Sequence, residues 1–304
     1  MGSSVLHNEL ALIKQRMIRN VYPLINKGIK PVIVNPEDST IQPVLIIEFH
    51  VTGASIFSAL GFVMNWIAYA DKKGWTPVMR THTDTDVTWE TLWKQPGTVT
   101  VEEAEKMNHY ETTEEYIISQ NAGVLSSKSE IRYWQSLFRK YVVLSDYAAA
   151  YVKEHSAFIK DFNDVIGVMC RGTDYTDVRP KNHPVQPEIP QVFEQVDRMK
   201  EQYHVNHVFL ATEDYRIVNQ FKEKYGDALY LIDDEYIDYD PKKMKWTYDY
   251  QLTFTQTKIM NYFTNMYIIS RCPYYVSGIA SGVLGALYMG DGFKDLHLFD
   301  LGKY

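Results

Sequence analysis

The second half of the sequence alternates short apolar runs with segments of helical periodicity, and this alternation constrains the fold most strongly. Short runs rich in β-branched and aromatic residues, each followed by turn residues, are typical of buried parallel strands. The five runs are Val165–Met169, His207–Ala211, Ala228–Ile232, Tyr274–Ser277 and Leu296–Phe299. Strands that alternate with helices form a doubly wound sheet, so residues 151–304 are predicted to be a Rossmann-like domain.

The first half begins with a smaller unit of the same kind. An apolar strand, a loop and a helix of about five turns lead to a second strand, which gives a β-α-β crossover. The predicted elements before residue 87 are a helix over Leu6–Ile25, a strand over Pro31–Val34, a strand over Val44–Phe49, a helix over Ile56–Lys73 and a strand over Thr76–Met79. The pattern from Val87 to Phe158 is mainly helical. Residues 1–150 are therefore predicted to be a second Rossmann-like domain, with the parallel sheets of the two domains facing a central cleft.

Length and composition agree with two globular domains. A chain of 304 residues lies where single cores stop growing, and 45% hydrophobic with 23% charged residues is ordinary for a folded protein. A formal charge of −7 disfavours a nucleic acid partner, which needs a basic field. Cys170 and Cys272 lack metal-ligand spacing and are interpreted as buried free thiols, which suits a reducing cytosol. The sequence has no apolar stretch of membrane-spanning length, so we expect a cytoplasmic protein with at most peripheral membrane contact.

Ligands of open parallel sheets bind beyond the carboxyl ends of the strands, and three such ends carry site-like residues. They are Cys170–Tyr175, Ala211–Asp214 and Ser277–Gly282. The last segment is a small-residue turn that opens a helix, which suits a phosphate, although packing alone also explains such a turn. Arg171 is suited to clamp a diphosphate through two N–H donors. Glu213 and Asp214 are suited to guanine or ribose donors, but Asp214 is also explained as a helix N-cap.

Together these segments resemble the donor-binding motifs of the fucosyltransferase superfamily that includes α1,6-fucosyltransferases, nodulation fucosyltransferases and protein O-fucosyltransferases. The matching residues are Arg171 with Asp174, Ala211 to Asp214, and Ser277 with Ser281, the last with one extra residue of spacing. Pro180–Pro184 and the segment Phe299–Tyr304 further resemble a bacterial branch of polysaccharide-cluster glycosyltransferases. Two positions depart from the family pattern: Met169 stands for its leading histidine, and Gly172 stands for the second arginine of its doubled form.

The resemblance implies a GT-B fold and an inverting, metal-independent transfer of fucose or a related sugar from a GDP-sugar to a glycan or polysaccharide hydroxyl, with no cofactor. The implied donor-binding residues are Arg171, Gly172, Thr173, Lys181, Thr212, Glu213, Asp214, Ser277, Ser281 and Gly282. Arg171 is expected to stabilise the leaving diphosphate. Asp174 and His183 are candidate catalytic residues, and Asp177 and His50 are further candidates for the base.

Two other classes of protein remain open from the sequence. A metal-dependent GT-A glycosyltransferase would use an Asp-x-Asp element, and Asp84-Thr85-Asp86 and Asp238-Tyr239-Asp240 both fit that pattern. A non-catalytic nucleotide-sugar-binding protein would retain the donor motifs without turnover. The acceptor, the linkage and the oligomeric state are not indicated by any motif.

Overall fold

The computed structural model describes residues 12–14, 16–17, 19–51, 55–113, 127–238, 240 and 255–304, with only the backbone described at Asp174. Contacts within the chain separate two compact units, Met1–Ala149 and Ala150–Tyr304. The boundary falls inside the helix Asp146–His155.

The first unit contains a four-stranded sheet in the order β1-β4-β2-β3. Its strands are β1 (Ile29–Val32), β2 (Val44–Val51), β3 (Thr76–Thr83) and β4 (His109–Thr112). Strand β2 runs parallel to β3 and β4, whereas β1 runs antiparallel to β4. The crossover from β2 to β3 passes through α1 (Ile56–Lys73), which confirms the predicted β-α-β unit.

Helix α1 is buried along most of its length and forms the centre of the first unit. Trp66, Ile67 and Ala70 have no exposed surface. The helix ends at Gly74, whose φ of 68° is the left-handed conformation that glycine adopts without a steric penalty. The other helices of this unit are α2 (Trp89–Leu92), α3 (Val101–Ala104), α4 (Lys128–Tyr141) and the boundary helix α5 (Asp146–His155), with a 3₁₀ turn at Tyr22–Ile25.

The sequence interpretation of the first unit was wrong in three details. The sheet is mixed rather than purely parallel; the first strand begins at Ile29, two residues before the predicted start; and β4 lies in a region predicted to be mainly helical. β4 was missed because its sequence is polar and its pairing is long-range: the Glu48 amide donates to Thr112 Oγ1 over 3.1 Å. Of the predicted first helix, residues 12–14, 16–17 and 19–21 are helical, and residues 6–11 lie outside the described part.

The second unit contains a five-stranded, wholly parallel sheet in the order β7-β6-β5-β8-β9. Its strands are β5 (Val165–Met169), β6 (His207–Ala211), β7 (Leu229–Tyr230), β8 (Tyr274–Gly278) and β9 (Asp295–Phe299). This arrangement confirms the doubly wound sheet expected from the alternating pattern. Every residue of β5 is buried, as expected for a central strand covered on both faces.

Helices follow each of these strands except the last. They are α6 (Ile189–Tyr203), α7 (Tyr215–Tyr225), α8 (Gln256–Arg271) and α9 (Ser281–Met289), with a π-helical turn at Asp174–Val178 and 3₁₀ turns at Phe162–Asp164 and Gly226–Ala228. Helix α8 was predicted from Asp249, but residues 249–254 lie outside the described part. Gly167 in β5 allows α8 to pack closely, because a Cβ there would come within 3.2 Å of Ile269.

Both cysteines are free and buried, at the end of β5 and after α8. Burial raises the pKa of the Cys170 and Cys272 thiols well above their usual range, so neither is poised to act as a thiolate nucleophile. Among the helices of the described residues, none combines the length and the apolar character needed to cross a bilayer.

Candidate functional site

The sheet of the second unit brings three of the predicted segments to one edge. Strand β5 lies between β6 and β8, and the register pairs Met169 with both Ala211 and Ser277. The Cys170 amide continues the ladder by donating to the Ala211 carbonyl over 3.0 Å. The residues that follow these strands therefore emerge side by side at the carboxyl edge, where open α/β sheets bind ligands.

Two carboxylates after β6 hold the loop after β5 in place, and we call Glu213 and Asp214 the carboxylate clamp. The Gly172 amide donates to Glu213 Oε1 over 3.0 Å, and the Thr173 amide donates to Asp214 Oδ2 over 3.0 Å. The Thr173 hydroxyl donates to Glu213 Oε1 over 3.2 Å. The loop is thus anchored by charge-assisted hydrogen bonds to the neighbouring strand end.

Thr173 is held in a strained conformation by these bonds. Its φ of 49° lies in the left-handed region, which a β-branched residue seldom adopts, and its side chain is fully buried. Such a conformation costs about 1 to 3 kcal/mol and persists where the surroundings over-determine it. Strain of this kind clusters at ligand sites, which agrees with the placement of the loop.

Gly172 is required because Asp214 lies against it. A Cβ at this position would come within 2.4 Å of Asp214 Oδ2 and 2.6 Å of Asp214 Cβ. The position therefore has no room for the second arginine of the family pattern. Met169, which stands for the family histidine, is buried, and Met169 Sδ lies 3.9 Å from the Tyr275 hydroxyl.

Asp214 is occupied within the protein. It is 1% exposed, it caps α7 by accepting the Arg216 amide over 2.8 Å, and it forms an ion pair with the Arg216 guanidinium. Burial opposes ionisation of this carboxyl group, but the hydrogen bonds from Arg216 and from the Thr173 amide outweigh it and lower its pKa. The same guanidinium contacts Asp177 Oδ2 over 2.7 Å. These contacts give Asp214 the structural role of a helix cap and loop anchor, and its contact with a nucleoside stays a prediction.

Arg171 is contacted from two sides at the carboxyl edge of the sheet. Its Nε atom lies 3.3 Å from Glu213 Oε1, and the guanidinium carbon lies 4.6 Å from the centre of the Tyr175 ring. About a quarter of the side chain is exposed (24%), so the guanidinium is both oriented and accessible. This contact joins the loop after β5 to the end of β6.

The turn from Ser277 to Gly282 contributes amide groups more than hydroxyls. Ser277 is 1% exposed, and its hydroxyl donates to the Gly278 carbonyl over 2.6 Å. Helix α9 begins after Ala280, whose methyl side chain cannot cap it, so the first amides of α9 face the carboxyl edge. The Ser281 hydroxyl is hydrogen-bonded to Tyr262. At Gly282 a Cβ would come within 2.9 Å of the Tyr262 hydroxyl.

The segment that carries Lys181 and His183 is paired with the chain end. The Asn182 amide donates to the Tyr304 carbonyl over 3.1 Å, the Tyr304 amide donates to the His183 carbonyl over 3.1 Å, and the Val185 amide donates to the Gly302 carbonyl over 3.0 Å. The exposed His183 ring packs edge-on against Tyr175, with ring centres 5.5 Å apart. Since Tyr175 also stacks on Arg171, the structure brings His183 to the same part of the unit.

The remaining predicted residues differ in how well they are described. Lys181 has an exposed side chain, and Thr212 is 8% exposed and accepts the Asp214 amide over 3.2 Å. The side chain of Asp174 and residue Tyr239 of the second Asp-x-Asp element lie outside the described part. Within the described ranges, no three His, Cys, Asp or Glu side chains form a group suited to a metal ion.

Sequence reasoning missed three residues of this site. Arg216 joins Asp214 to Asp177, Tyr262 joins α8 to Ser281, and Gln186 Nε2 donates to the Ile279 carbonyl over 3.0 Å. Arg216 had a detectable signal, because a cation two residues after a helix N-cap acid lies within reach of that acid. Tyr262 and Gln186 had none, because their partners are distant in sequence.

The fold is similar to that of solved GT-B fucosyltransferases. POFUT1 in complex with GDP aligns with a TM-score of 0.53 and 13% identity over 86% of this chain and 100% of that chain. The NodZ fucosyltransferase from Bradyrhizobium aligns with a TM-score of 0.47 and 10% identity over 83% and 94%, and a variant of Arabidopsis thaliana FUT1 in complex with GDP aligns with 0.47 and 8% over 85% and 70%. No protein-family model matches the chain, and no curated sequence is similar to it.

The similarity to POFUT1 confirms the α/β fold of the GT-B kind that the sequence predicted. At 13% identity this similarity shows only the fold, so any proposed chemistry depends on the residues at the carboxyl edge.

Proposed function

We propose that this protein is a glycosyltransferase that transfers fucose, or a closely related sugar, from a GDP-sugar donor bound by its second unit. The observation that carries this proposal is Arg171, held between Glu213 and Tyr175 at the carboxyl edge of β5, next to the amide groups that open α9. The solved structure of POFUT1, which has the same fold, contains GDP.

The diphosphate is assigned to Arg171 and the turn before α9. A guanidinium presents a planar fork of N–H donors that matches two phosphate oxygens, and Glu213 fixes its Nε side. The first turn of a helix adds backbone donors and the positive end of the helix dipole. Both groups would stabilise the charge that grows on the leaving diphosphate, as preorganised electrostatic catalysis requires.

The nucleoside is assigned to Glu213 and Thr212. All three hydrogen bonds and ion pairs of Glu213 with the loop after β5 use Oε1, so we assign Oε2 to a guanine N–H or a ribose hydroxyl. Glu213 is 24% exposed, whereas Asp214 is 1% exposed. Selectivity for GDP would follow, because guanine presents N–H donors to a carboxylate and uracil presents only one.

The reaction proposed is an inverting displacement without a metal or cofactor. A base takes the proton of an acceptor hydroxyl, the oxygen of that hydroxyl forms a bond to the anomeric carbon, the bond from that carbon to the β-phosphate oxygen breaks with its electron pair, and GDP leaves. Asp174 and His183 are retained as proposed catalytic residues of the second unit. Asp177 is less suited to act as a base, because Arg216 holds its carboxylate in an ion pair. A polysaccharide or other glycan acceptor and a cytoplasmic location are part of the same proposal.

Ligand-dependent melting tests the donor class. GDP, UDP, ADP and CMP are compared with EDTA present and, in a separate series, with manganese in place of EDTA; a ligand at 100 times its Kd stabilises the protein by about 2.7 kcal/mol. We expect GDP alone to raise the melting temperature, and GDP-fucose to do so with slow release of GDP. Stabilisation by UDP only with manganese would support the metal-dependent alternative instead. GDP binding without GDP release from GDP-fucose in the presence of glycans would indicate a non-catalytic binding protein.

A further inference from the structure

An ionisable row occupies the carboxyl-terminal half of one face of β2 and β3 in the first unit. The row consists of Glu48, His50, Arg80 and His82. The two strands pair in register, Glu48 with Arg80 and His50 with His82, so that side-chain alternation places all four on the same face.

The first half of this face is ordinary core. Val44, Ile46 and Val78 are buried there against Ala104. Further along the strands the same face carries only the ionisable row, with Glu48 37% and His82 43% exposed. Parallel sheets are normally covered on both faces, and the carboxyl end of their strands is where ligands bind. Among the described residues, this charged half of the face is only partly covered, which makes it a candidate binding surface.

The row holds a histidine in a defined orientation. His82 Nε2 lies 2.5 Å from Glu48 Oε1, and Arg80 Nη2 lies 3.2 Å from Glu48 Oε2. Partial burial opposes ionisation of Glu48, but the hydrogen bonds from Arg80 and His82 outweigh it and lower its pKa, so Glu48 is a carboxylate at neutral pH. In the singly protonated ring, the carboxylate partner holds the proton on Nε2, and Nδ1 is then a hydrogen-bond acceptor. The His50 ring stacks on the His82 ring with centres 4.9 Å apart and restricts its rotation.

The charge of the row indicates the class of ligand. Arg80 is surrounded by three carboxylates, Glu48 at 3.2 Å, Glu105 at 2.9 Å and Glu111 at 2.9 Å. Lys30 Nζ lies 3.4 Å from Glu111 Oε2, so the row and its neighbours hold three carboxylates against two cations, and this excess disfavours an anionic ligand such as a phosphate. Carboxylates and an imidazole nitrogen accept hydrogen bonds from hydroxyl groups, and stacked rings offer a flat surface to sugar C–H groups.

We infer that the row binds the hydroxyl groups of a neutral saccharide, with His82 Nδ1 accepting a hydrogen bond from one hydroxyl and Glu48 acting as the positioning residue. This inference rests on the proposed function, because the saccharide is the acceptor that a glycosyltransferase needs.

The chain offers a matched control for His82. His207 Nδ1 lies 2.9 Å from Asp164 Oδ2, and its ring stacks on Tyr230 with centres 4.8 Å apart, so it is also a stacked histidine paired with a carboxylate. His207 begins β6 at the amino end of its strand, where open sheets do not bind ligands.

The test measures binding of the whole protein to an array of immobilised neutral oligosaccharides, for the wild type, His82→Gln, Glu48→Gln and His207→Gln. We expect His82→Gln to bind the recognised saccharide about tenfold more weakly or worse, Glu48→Gln to show a smaller loss, and His207→Gln to match the wild type. GDP-dependent melting of the same samples should be unchanged in all four.

Equal saccharide binding by His82→Gln and the wild type would overturn the inference, as would a wild type that binds none of the neutral saccharides. If saccharide binding fails while GDP still stabilises the protein, the inference fails alone; if GDP also has no effect, the proposed function fails with it. Equal losses in His82→Gln and His207→Gln would show a general structural effect and also overturn the assignment.

Discussion

An alanine at position 172 would place a methyl group where the carboxylate of Asp214 already lies. Its Cβ would come within 2.4 to 2.8 Å of three Asp214 atoms. Asp214 cannot move away cheaply, because it caps α7 and is paired with Arg216. The loop would have to move instead, and the amide bonds from Gly172 and Thr173 to the carboxylate clamp would lengthen or break.

The expected cost follows from these contacts. Overpacking by one methyl group costs about 1 to 3 kcal/mol, and a lost hydrogen bond to a charged group about 1.5 to 3 kcal/mol. If the loop moves away, the overpacking is relieved but the hydrogen bonds to the carboxylate clamp are lost, so the two costs do not simply add. We expect the second unit to lose about 2 to 4 kcal/mol of unfolding free energy, or roughly 5 to 15 °C in melting temperature. Arg171, whose neighbour has moved, should also lose its alignment, and GDP should no longer stabilise the variant.

Gly226→Ala provides the control, because a Cβ there meets nothing within 4 Å but φ is +52°. It should cost only the backbone strain of about 1 to 3 kcal/mol and keep the GDP response. The assay is calorimetric or fluorescence melting of both variants with and without GDP. A Gly172→Ala variant with wild-type melting and an unchanged GDP response would refute the close approach of Asp214 and the placement of the donor loop.

Three further predictions concern the same unit. Arg171→Lys should lower kcat with GDP-fucose by about 10² to 10³, or about 3 to 4 kcal/mol, and keep near wild-type melting, because the point charge of lysine cannot replace the planar guanidinium. Activity within tenfold of the wild type would show that another group binds the diphosphate. The pKa of Asp214 is lowered in the folded state, so its contribution to stability is complete above its unfolded pKa of about 3.9 and is lost as pH falls below that value; Asp214→Asn should flatten this acid-side loss in a pH series of melting curves, and an unchanged slope would contradict the pairing. Removal of residues 302–304 deletes three backbone hydrogen bonds to residues 182–185 and should speed limited proteolysis in that segment and weaken GDP binding severalfold without unfolding the unit; unaltered cleavage there would show that the pairing is dispensable.

The strands of the second unit could be predicted because each one has a local signal in the sequence. The run Val165–Met169 is apolar throughout and His207–Ala211 is apolar after its first residue, as expected of strands covered on both faces, and the strand bounds agree with the structure. The loops after β5, β6 and β8 emerge at one edge, as the predicted topology requires, and the ligand site at that edge stays a prediction.

The roles of individual side chains could not be predicted in the same way. In sequence, a helix cap explains Asp214 almost as well as a nucleoside ligand, and its structural role is visible only from the approach of Gly172 and Thr173, about forty residues earlier. Strand β4 is polar and forms only through its pairing with β1 and β2. The hydrogen bond between Tyr304 and His183 likewise joins two segments whose sequences do not indicate a strand. Long-range contacts of this kind leave no periodicity to detect.

The anchoring of the loop after β5 by Glu213 and Asp214 has a thermodynamic consequence. The hydrogen bonds that order this loop come from the protein itself, so binding of the proposed nucleotide need not order that segment, and its conformational entropy is lost in folding rather than in association. Calorimetric titration with GDP should therefore show a small negative heat capacity change, set by the buried base and ribose alone, and association should be fast because no slow rearrangement of this loop precedes it.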